Sequence, residues 1–277
     1  FKSPGSPYPN GKYAVSCYTI DWGQYDIVIS INISLPTQLI LKYPQTLFAY
    51  MIGEANMATG KARFGYDATL NQMARGRISH KCGAIDFPYT FVAKDTLEKI
   101  MQQYLGRPSA RKGIFMEINS TTERPVTRIP DHFQPLADAG YEIILHQQKI
   151  ADNLKNIYDA KYFVKMGGRS IRGNSVAEAV SLGTLAIMNR DEVIHHELII
   201  DECNVKTMDE MISLINRLEN DPELYRTLQQ KQRQVLTHYF FDAPTQSLIN
   251  CLKEKRGLSK PRTYSRWNRL FDNFIIS

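Results

Sequence analysis

Residues 161–189 carry the densest set of groups able to do chemistry: Lys-Tyr-Phe-Val-Lys-Met-Gly-Gly-Arg-Ser-Ile-Arg-Gly-Asn-Ser-Val-Ala-Glu-Ala-Val-Ser-Leu-Gly-Thr-Leu-Ala-Ile-Met-Asn. Arg169 and Arg172 fall in a glycine-containing turn ahead of a helix that Asn174 or Ser175 can cap. Gly173 stands beside that helix start. A helix N-terminus offers unpaired N–H groups and the positive end of a dipole, and a guanidinium grips a phosphate through two parallel hydrogen bonds. Glu178 follows one turn into the helix, within reach of a ribose hydroxyl beyond bound phosphates. The chemistry on offer is therefore binding of a nucleotide diphosphate. An ordinary β-α-β unit with two surface arginines would share the glycines; the phased Arg, Arg, cap and Glu favour the nucleotide.

The elements that must hold these groups can be read around them. Residues 162–166 form a short apolar run of strand type, which Gly167 and Gly168 end. Val176, Ala177 and Val180 fall on one helix face, toward a sheet. Gly183 stops the helix, and 184–188 read as a buried strand. Upstream, 113–118 read as a strand, with Arg124 and Arg128 in the loop 119–130 at its C-terminal end. A helix stopped by Gly140, a strand 142–146 ending in His146 and a helix 151–158 follow. Downstream come a strand at 198–200, an amphipathic helix 208–218 and a helix that Asp221-Pro222 opens, running to about 238. This alternation predicts a doubly wound parallel domain.

The first hundred residues repeat the pattern on a smaller scale. Residues 1–12 are a Pro- and Gly-rich lead-in, 13–20 read as a strand, and Asp21-Trp-Gly is a turn at its end. Strands are expected at 26–32 and 46–52, the second followed by Gly53-Glu54, with a helix 37–42 opened by Pro36 between them. Residues 66–73 read as a strand or short helix and 95–105 as a helix. The division is a small α/β lobe over 1–106, a larger Rossmann-like lobe over 107–245 and a helical, basic tail over 246–277 that packs back on the body.

The chain of 277 residues is 43% hydrophobic and 22% charged, enough apolar surface for packed cores and too much for a disordered chain. No run reaches the length of a membrane span and no leader peptide is visible. The expectation is a soluble chain, cytoplasmic by default, although the opening Phe1-Lys-Ser-Pro-Gly leaves targeting open. Cys17, Cys82, Cys203 and Cys251 are widely spaced, without the paired spacing of a zinc site or a disulfide framework. The net charge of +6 resides in Lys253, Lys255, Arg256, Lys260, Arg262, Arg266 and Arg269, set against Glu254. Such a tail suits nucleic acid or an anionic surface, or is simply a solvated face.

The segment Ser175-Val-Ala-Glu-Ala-Val-Ser-Leu-Gly-Thr-Leu-Ala-Ile resembles the donor-site segment of GT-B glycosyltransferases. In those families an Arg- or Gly-containing turn leads into a helix of the form Glu-Ala-x-x-x-Gly and then an apolar strand. The segment is most similar to the exostosin-like group, and Ile85-Asp-Phe-Pro-Tyr resembles the short crossover between the lobes. The resemblance implies two Rossmann-like lobes facing a cleft, here with a reduced N-terminal lobe, and transfer from a nucleotide sugar, UDP-linked in the commonest class. The compact size also resembles the small xylosyltransferases of algal giant viruses, which implies UDP-xylose as donor and a fucose of an N-glycan as acceptor.

Glycosyl transfer sets three requirements. Growing charge on the leaving diphosphate must be stabilised, a task for Arg169, Arg172 and the helix end at Ser175, with Arg124 or Arg128 as a further clamp. In an inverting reaction a carboxylate takes the proton of the acceptor hydroxyl; Asp21 and Glu54, each expected just past a first-lobe strand, are the candidates. Solvated turn carboxylates would look the same. The ribose falls to Glu178 by resemblance, and His146 lies near the base or phosphates, or is a plain polar strand end. No Asp-x-Asp is present, so no metal and no cofactor beyond the nucleotide-sugar co-substrate is expected, and adjacent histidines on a strand would make His195-His196-Glu197 a poor chelate. Two other readings remain: a nucleotide-sugar epimerase of the same shape, and a non-enzymatic nucleotide or polyanion binder that uses the basic tail.

Overall fold

The computed structural model describes residues 17–31, 34–52, 65–71, 85–86, 111–117, 127–146, 150–167, 174–193 and 195–257. They belong to two compact units. Among the described residues the first unit holds those up to 86 together with 244–257, and the second holds 111–243. Each is a parallel α/β layer structure.

In the first unit, strands β1 (Ile27–Ile31), β2 (Leu47–Ile52), β3 (Ala68–Asn71) and β4 (Ile85–Asp86) pair in parallel in chain order. Helix α1 (Thr37–Leu41) connects β1 to β2 and starts after Pro36, whose fixed φ suits a helix entry. Val28, Ile40, Phe48, Tyr50 and Tyr66 form the core on this sheet. The Tyr66 hydroxyl donates to Ser30 Oγ at 2.9 Å and accepts from Leu35 N–H at 2.6 Å, so its buried polar end is satisfied.

A helix from the far end of the chain completes this unit. It runs over Ala243–Gly257 (α7 below), buries Pro244, Leu248 and Leu252, and ends in Lys255 and Arg256. Lys255 Nζ reaches Asp67 Oδ2 at 2.7 Å and Thr46 O at 2.6 Å, and Arg256 Nη2 reaches Asp26 Oδ1 at 2.5 Å. Asp26, Thr46 and Asp67 immediately precede β1, β2 and β3, so the helix clasps the N-terminal edge of the sheet. Two members of the basic cluster are thereby spent on internal ion pairs.

In the second unit, β5 (Ile114–Met116), β6 (Ile143–Ile144), β7 (Tyr162–Lys165) and β8 (Leu185–Met188) pair in parallel in the order β6-β5-β7-β8. Every residue of β5, β7 and β8 is buried, as expected where helices cover both faces of a parallel sheet. The helices are α2 (Gln134–Asp138), α3 (Ile150–Asp159), α4 (Asn174–Ser181), α5 (Met208–Asn220) and α6 (Pro222–Thr237), with α7 following α6 through a π-helical turn. Helix α4 buries Val176, Ala177, Ala179 and Val180. It stops at Gly183, whose φ of +83° is left-handed, and Arg111 donates to the Leu182 carbonyl at 2.5 Å and to Thr184 Oγ1 at 3.0 Å.

The outer edge of β8 is closed by side chains rather than by another long strand. Gln232 of α6 donates to Ala186 O at 2.7 Å and accepts from Ala186 N at 3.0 Å, imitating a strand partner. A single parallel bridge from Met188 to Asn204 continues the same edge. Thr207 and Glu210 form a capping box on α5, and Asp221 caps α6 ahead of Pro222.

Two local expectations, a strand at 198–200 and a strand end at 17–19, are overturned. Residues 198–200 do not form a strand. His196–Leu198 is a 3-10 turn, and the Ile199 carbonyl is taken by the Arg190 guanidinium at 2.6 and 2.9 Å. Ile85-Asp86, the start of the expected crossover, pairs with Leu70 and Asn71 as a strand of the first sheet, and residues 87–89 lie outside the described residues. Cys17–Thr19 is a 3-10 turn rather than the end of a strand. The helix expected at 95–105 lies outside the described residues. Among the described residues no helix is long and apolar enough to cross a membrane.

Candidate functional site

The strand order of the second sheet locates the place where a ligand fits. From β5 the chain moves one way to β6, then returns across to β7 and continues to β8. The connections diverge between β5 and β7, and in open parallel sheets ligands bind beyond the C-terminal strand ends at such a reversal. The residues just past those ends are Glu117 after β5, and Met166 and Gly167 after β7. Helix α4, which begins at Asn174, brings Glu178.

Glu117 is 6% exposed. Its N–H donates to Val164 O at 2.9 Å, which continues the ladder one step past β5 and sets Glu117 level with Lys165. Glu178 is half-buried and its carboxyl makes no hydrogen bond among the described residues. Burial, and then the charge of Glu117 beside it, push the Glu178 carboxyl up to about 7. A poorly solvated carboxyl at the ligand end of a sheet is an acceptor in want of hydroxyl donors.

The exit from β7 is tightly tied. Lys165 is fully buried and donates from Nζ to Glu192 Oε2 and to Gly167 O, both at 2.7 Å. The other Glu192 oxygen accepts from Gly167 N–H at 2.9 Å. Gly167 has a φ of +69°, a left-handed conformation in which a side chain would be strained. Glu192 itself sits on a 3-10 turn, Arg190–Glu192, which Asn189 caps by accepting from Asp191 N–H at 3.0 Å.

The structure distributes the sequence candidates unevenly. Glu178 and Ser175 lie on α4 at the ligand end of the sheet, and the helix begins at Asn174. His146 follows β6 on the same edge but is buried, 3.2 Å from Asn153 Nδ2 and with its ring centroid 6.0 Å from that of Phe115. Arg128 is exposed in the stretch before α2. Glu54, Arg124, Arg169, Arg172 and Gly173 lie outside the described residues, as does the Asn174 side chain. Asp21 is exposed ahead of β1, where it caps the 3-10 turn Trp22–Gln24 and accepts from Gly23 N–H at 3.2 Å. The expected place past a strand end is therefore not the one it occupies: an Asp before Trp-Gly is a turn cap.

His195 is fully buried, with its ring centroid 5.9 Å from Tyr239 and 5.4 Å from Phe240, which makes it a packing residue on a turn. Glu117, Lys165 and Glu192 are the residues that the sequence reading passed over. The available signal was a charged residue at the end of an otherwise apolar strand run, Ile-Phe-Met-Glu and Tyr-Phe-Val-Lys.

No protein-family model and no curated protein matches the chain by sequence. Among solved structures, it is similar to the DNA-modifying enzyme β-glucosyltransferase, solved with and without uridine diphosphoglucose, at 14% identity and a TM-score of 0.45 over 88% of this chain and 87% of that one. It is similar to sucrose-phosphate synthase from Thermosynechococcus elongatus at 14% identity and a TM-score of 0.47, over 83% and 74%. It is also similar to the T4 phage enzyme in complex with its UDP-glucose substrate, at 13% identity and a TM-score of 0.43 over 90% and 88%. Likenesses this slight assign no chemistry, which rests on the residues themselves.

Proposed function

We propose that the chain is a glycosyltransferase of GT-B type that transfers a sugar from a UDP-linked donor to a hydroxyl of a glycan or glycoprotein acceptor. The observation that carries this reading is Glu178. It is a half-buried carboxyl without a hydrogen-bond partner among the described residues, on the helix that follows β7 at the strand-order reversal. In this reading its two oxygens accept from the hydroxyls of the nucleotide ribose.

In this reading Arg169 and Arg172, with the start of α4 at Asn174 and Ser175, take the diphosphate and stabilise it as it leaves. Arg124 or Arg128 adds a further clamp, and His146 backs the ligand edge from β6. The reaction inverts and needs no metal. Glu54, two residues past the end of β2, removes the acceptor proton, because Asp21 is occupied as a turn cap ahead of the start of β1. The finer assignment, UDP-xylose onto a fucose of an N-glycan, comes from the family resemblance.

Thermal unfolding of the purified protein with a panel of nucleotides and nucleotide sugars, with and without chelator, tests the reading. A uridine ligand at a hundred times its dissociation constant should add roughly 2.7 kcal/mol, indifferent to chelator. Equal melting with every nucleotide would overturn it.

A further inference from the structure

Glu117 is a buried charge at the ligand end of the second sheet that the donor reading leaves without a task. It follows β5 at the strand-order reversal, and only 6% of it is exposed. Its N–H donates to Val164 O at 2.9 Å, so its backbone is fixed in the sheet ladder. Met116 pairs with Val164, which puts Glu117 one step on, level with Lys165. That lysine is committed elsewhere: its Nζ holds Glu192 Oε2 and Gly167 O, both at 2.7 Å.

Glu178 approaches the same end of the sheet from α4. The helix buries Val176, Ala177, Ala179 and Val180, which keeps Glu178, between Ala177 and Ala179, close to the body and half-buried. The Glu117 charge reaches it and acts with burial against its ionisation. When both carboxyls are ionised, this end of the sheet carries two negative charges that the neutral Lys165–Glu192 pair does not offset. Charges enclosed by protein are screened far less by salt than exposed ones. Repulsion can exclude a wrong ligand as effectively as contacts select the right one.

We infer that Glu117 is a specificity-determining residue of the donor site: a buried carboxylate beside Glu178, it confines the site to nucleotides whose ribose hydroxyls carry no phosphate. This role rests on the donor reading above. With 6% of its surface exposed, Glu117 acts through charge rather than contact. A ribose that donates its hydroxyls meets a favourable field, and a ribose phosphate meets repulsion. At an effective dielectric constant of about 20, a like charge within about 8 Å changes affinity by about ten- to a hundredfold.

The test is calorimetric titration of UDP, uridine 5′-monophosphate and uridine 3′,5′-bisphosphate into the full chain at about pH 8, above the Glu178 midpoint of about 7. The last two ligands differ only in the ribose phosphate, so their affinity ratio on one protein cancels any general loss of binding. The unaltered chain should prefer the monophosphate by about tenfold or more. Glu117→Gln and Glu117→Met, either of which suffices if the other fails to fold, should narrow that preference by about fivefold or more. Glu117→Asp, which keeps the charge, should retain it. A merely structural role would shift both affinities together and leave the ratio unchanged in the neutral variants. That result, or equal binding of the two ligands by the unaltered chain, would overturn the role of Glu117 alone. An unaltered chain that binds none of the three nucleotides would overturn the donor reading and this role together.

Discussion

Glu117, one residue past β5, lies close enough to Glu178 of α4 for its charge to oppose ionisation of the Glu178 carboxyl. Burial is the larger cause, and together they push that carboxyl up to about 7, against an ordinary value near 4.5. The sign has consequences for stability and for binding. A raised folded-state value means that the folded chain holds this proton more tightly than the unfolded chain. The contribution of Glu178 to stability is therefore full below about pH 4.5 and is lost as pH rises through about 7. Glu178→Gln should be more stable than the unaltered chain at pH 8, by about 1–3 kcal/mol, and the gap should close by pH 5. Thermal melting across that range checks it.

Binding should run the other way. Ribose hydroxyls donate, so they prefer the ionised carboxylate. UDP affinity should rise with pH from about 6 to about 8, and Glu178→Gln should bind weakly with a flat profile. A titration series in UDP at several pH values measures both.

Glu117→Gln separates the two causes of the shift. With the neighbouring charge gone, the Glu178 midpoint should move down, but it should stop short of 4.5 because burial, the dominant cause, remains. The pH midpoint of UDP affinity, or carbon NMR of the Glu178 carboxyl, reports it.

Much of this frame was legible from residue type and spacing, and some was not. The strand, helix and strand at 162–165, 174–181 and 185–188 follow from glycine stops and apolar periodicity, and α4 buries the expected Val176, Ala177 and Val180. The Asp221-Pro222 entry of α6 was equally local. What could not be read were pairings across sequence distance: Lys165 with Glu192 is a contact between residues 27 positions apart, and neither residue type marks it. Asp21 misled for a related reason. An acidic residue before Trp-Gly fits a strand end and a turn cap alike, and only the backbone, a 3-10 turn, tells them apart.

The two candidate bases should therefore part in kinetics. Asp21→Asn should keep turnover near that of the unaltered chain, because it caps an exposed turn. Glu54→Gln should keep UDP affinity and lose turnover by about a hundredfold or more. Initial rates with a UDP-sugar and acceptor, alongside UDP titrations, check the pair.

Lys255→Met leaves Asp67, whose side chain is 9% exposed, without its cation. It should lower stability by about 1–3 kcal/mol without altering UDP affinity, since Lys255 and the Glu178 helix belong to different compact units. Melting and titration on one preparation settle both halves.

The clasp formed by α7 also has a consequence in time. Lys255 and Arg256 meet partners 188 and 230 positions earlier in the chain. During synthesis, the sheet made first must wait for the helix made after every strand of the second unit. Among the described parts, the sheet made first is therefore completed last, and Thr46 and Asp67 lack their Lys255 partner until the last described helix has emerged.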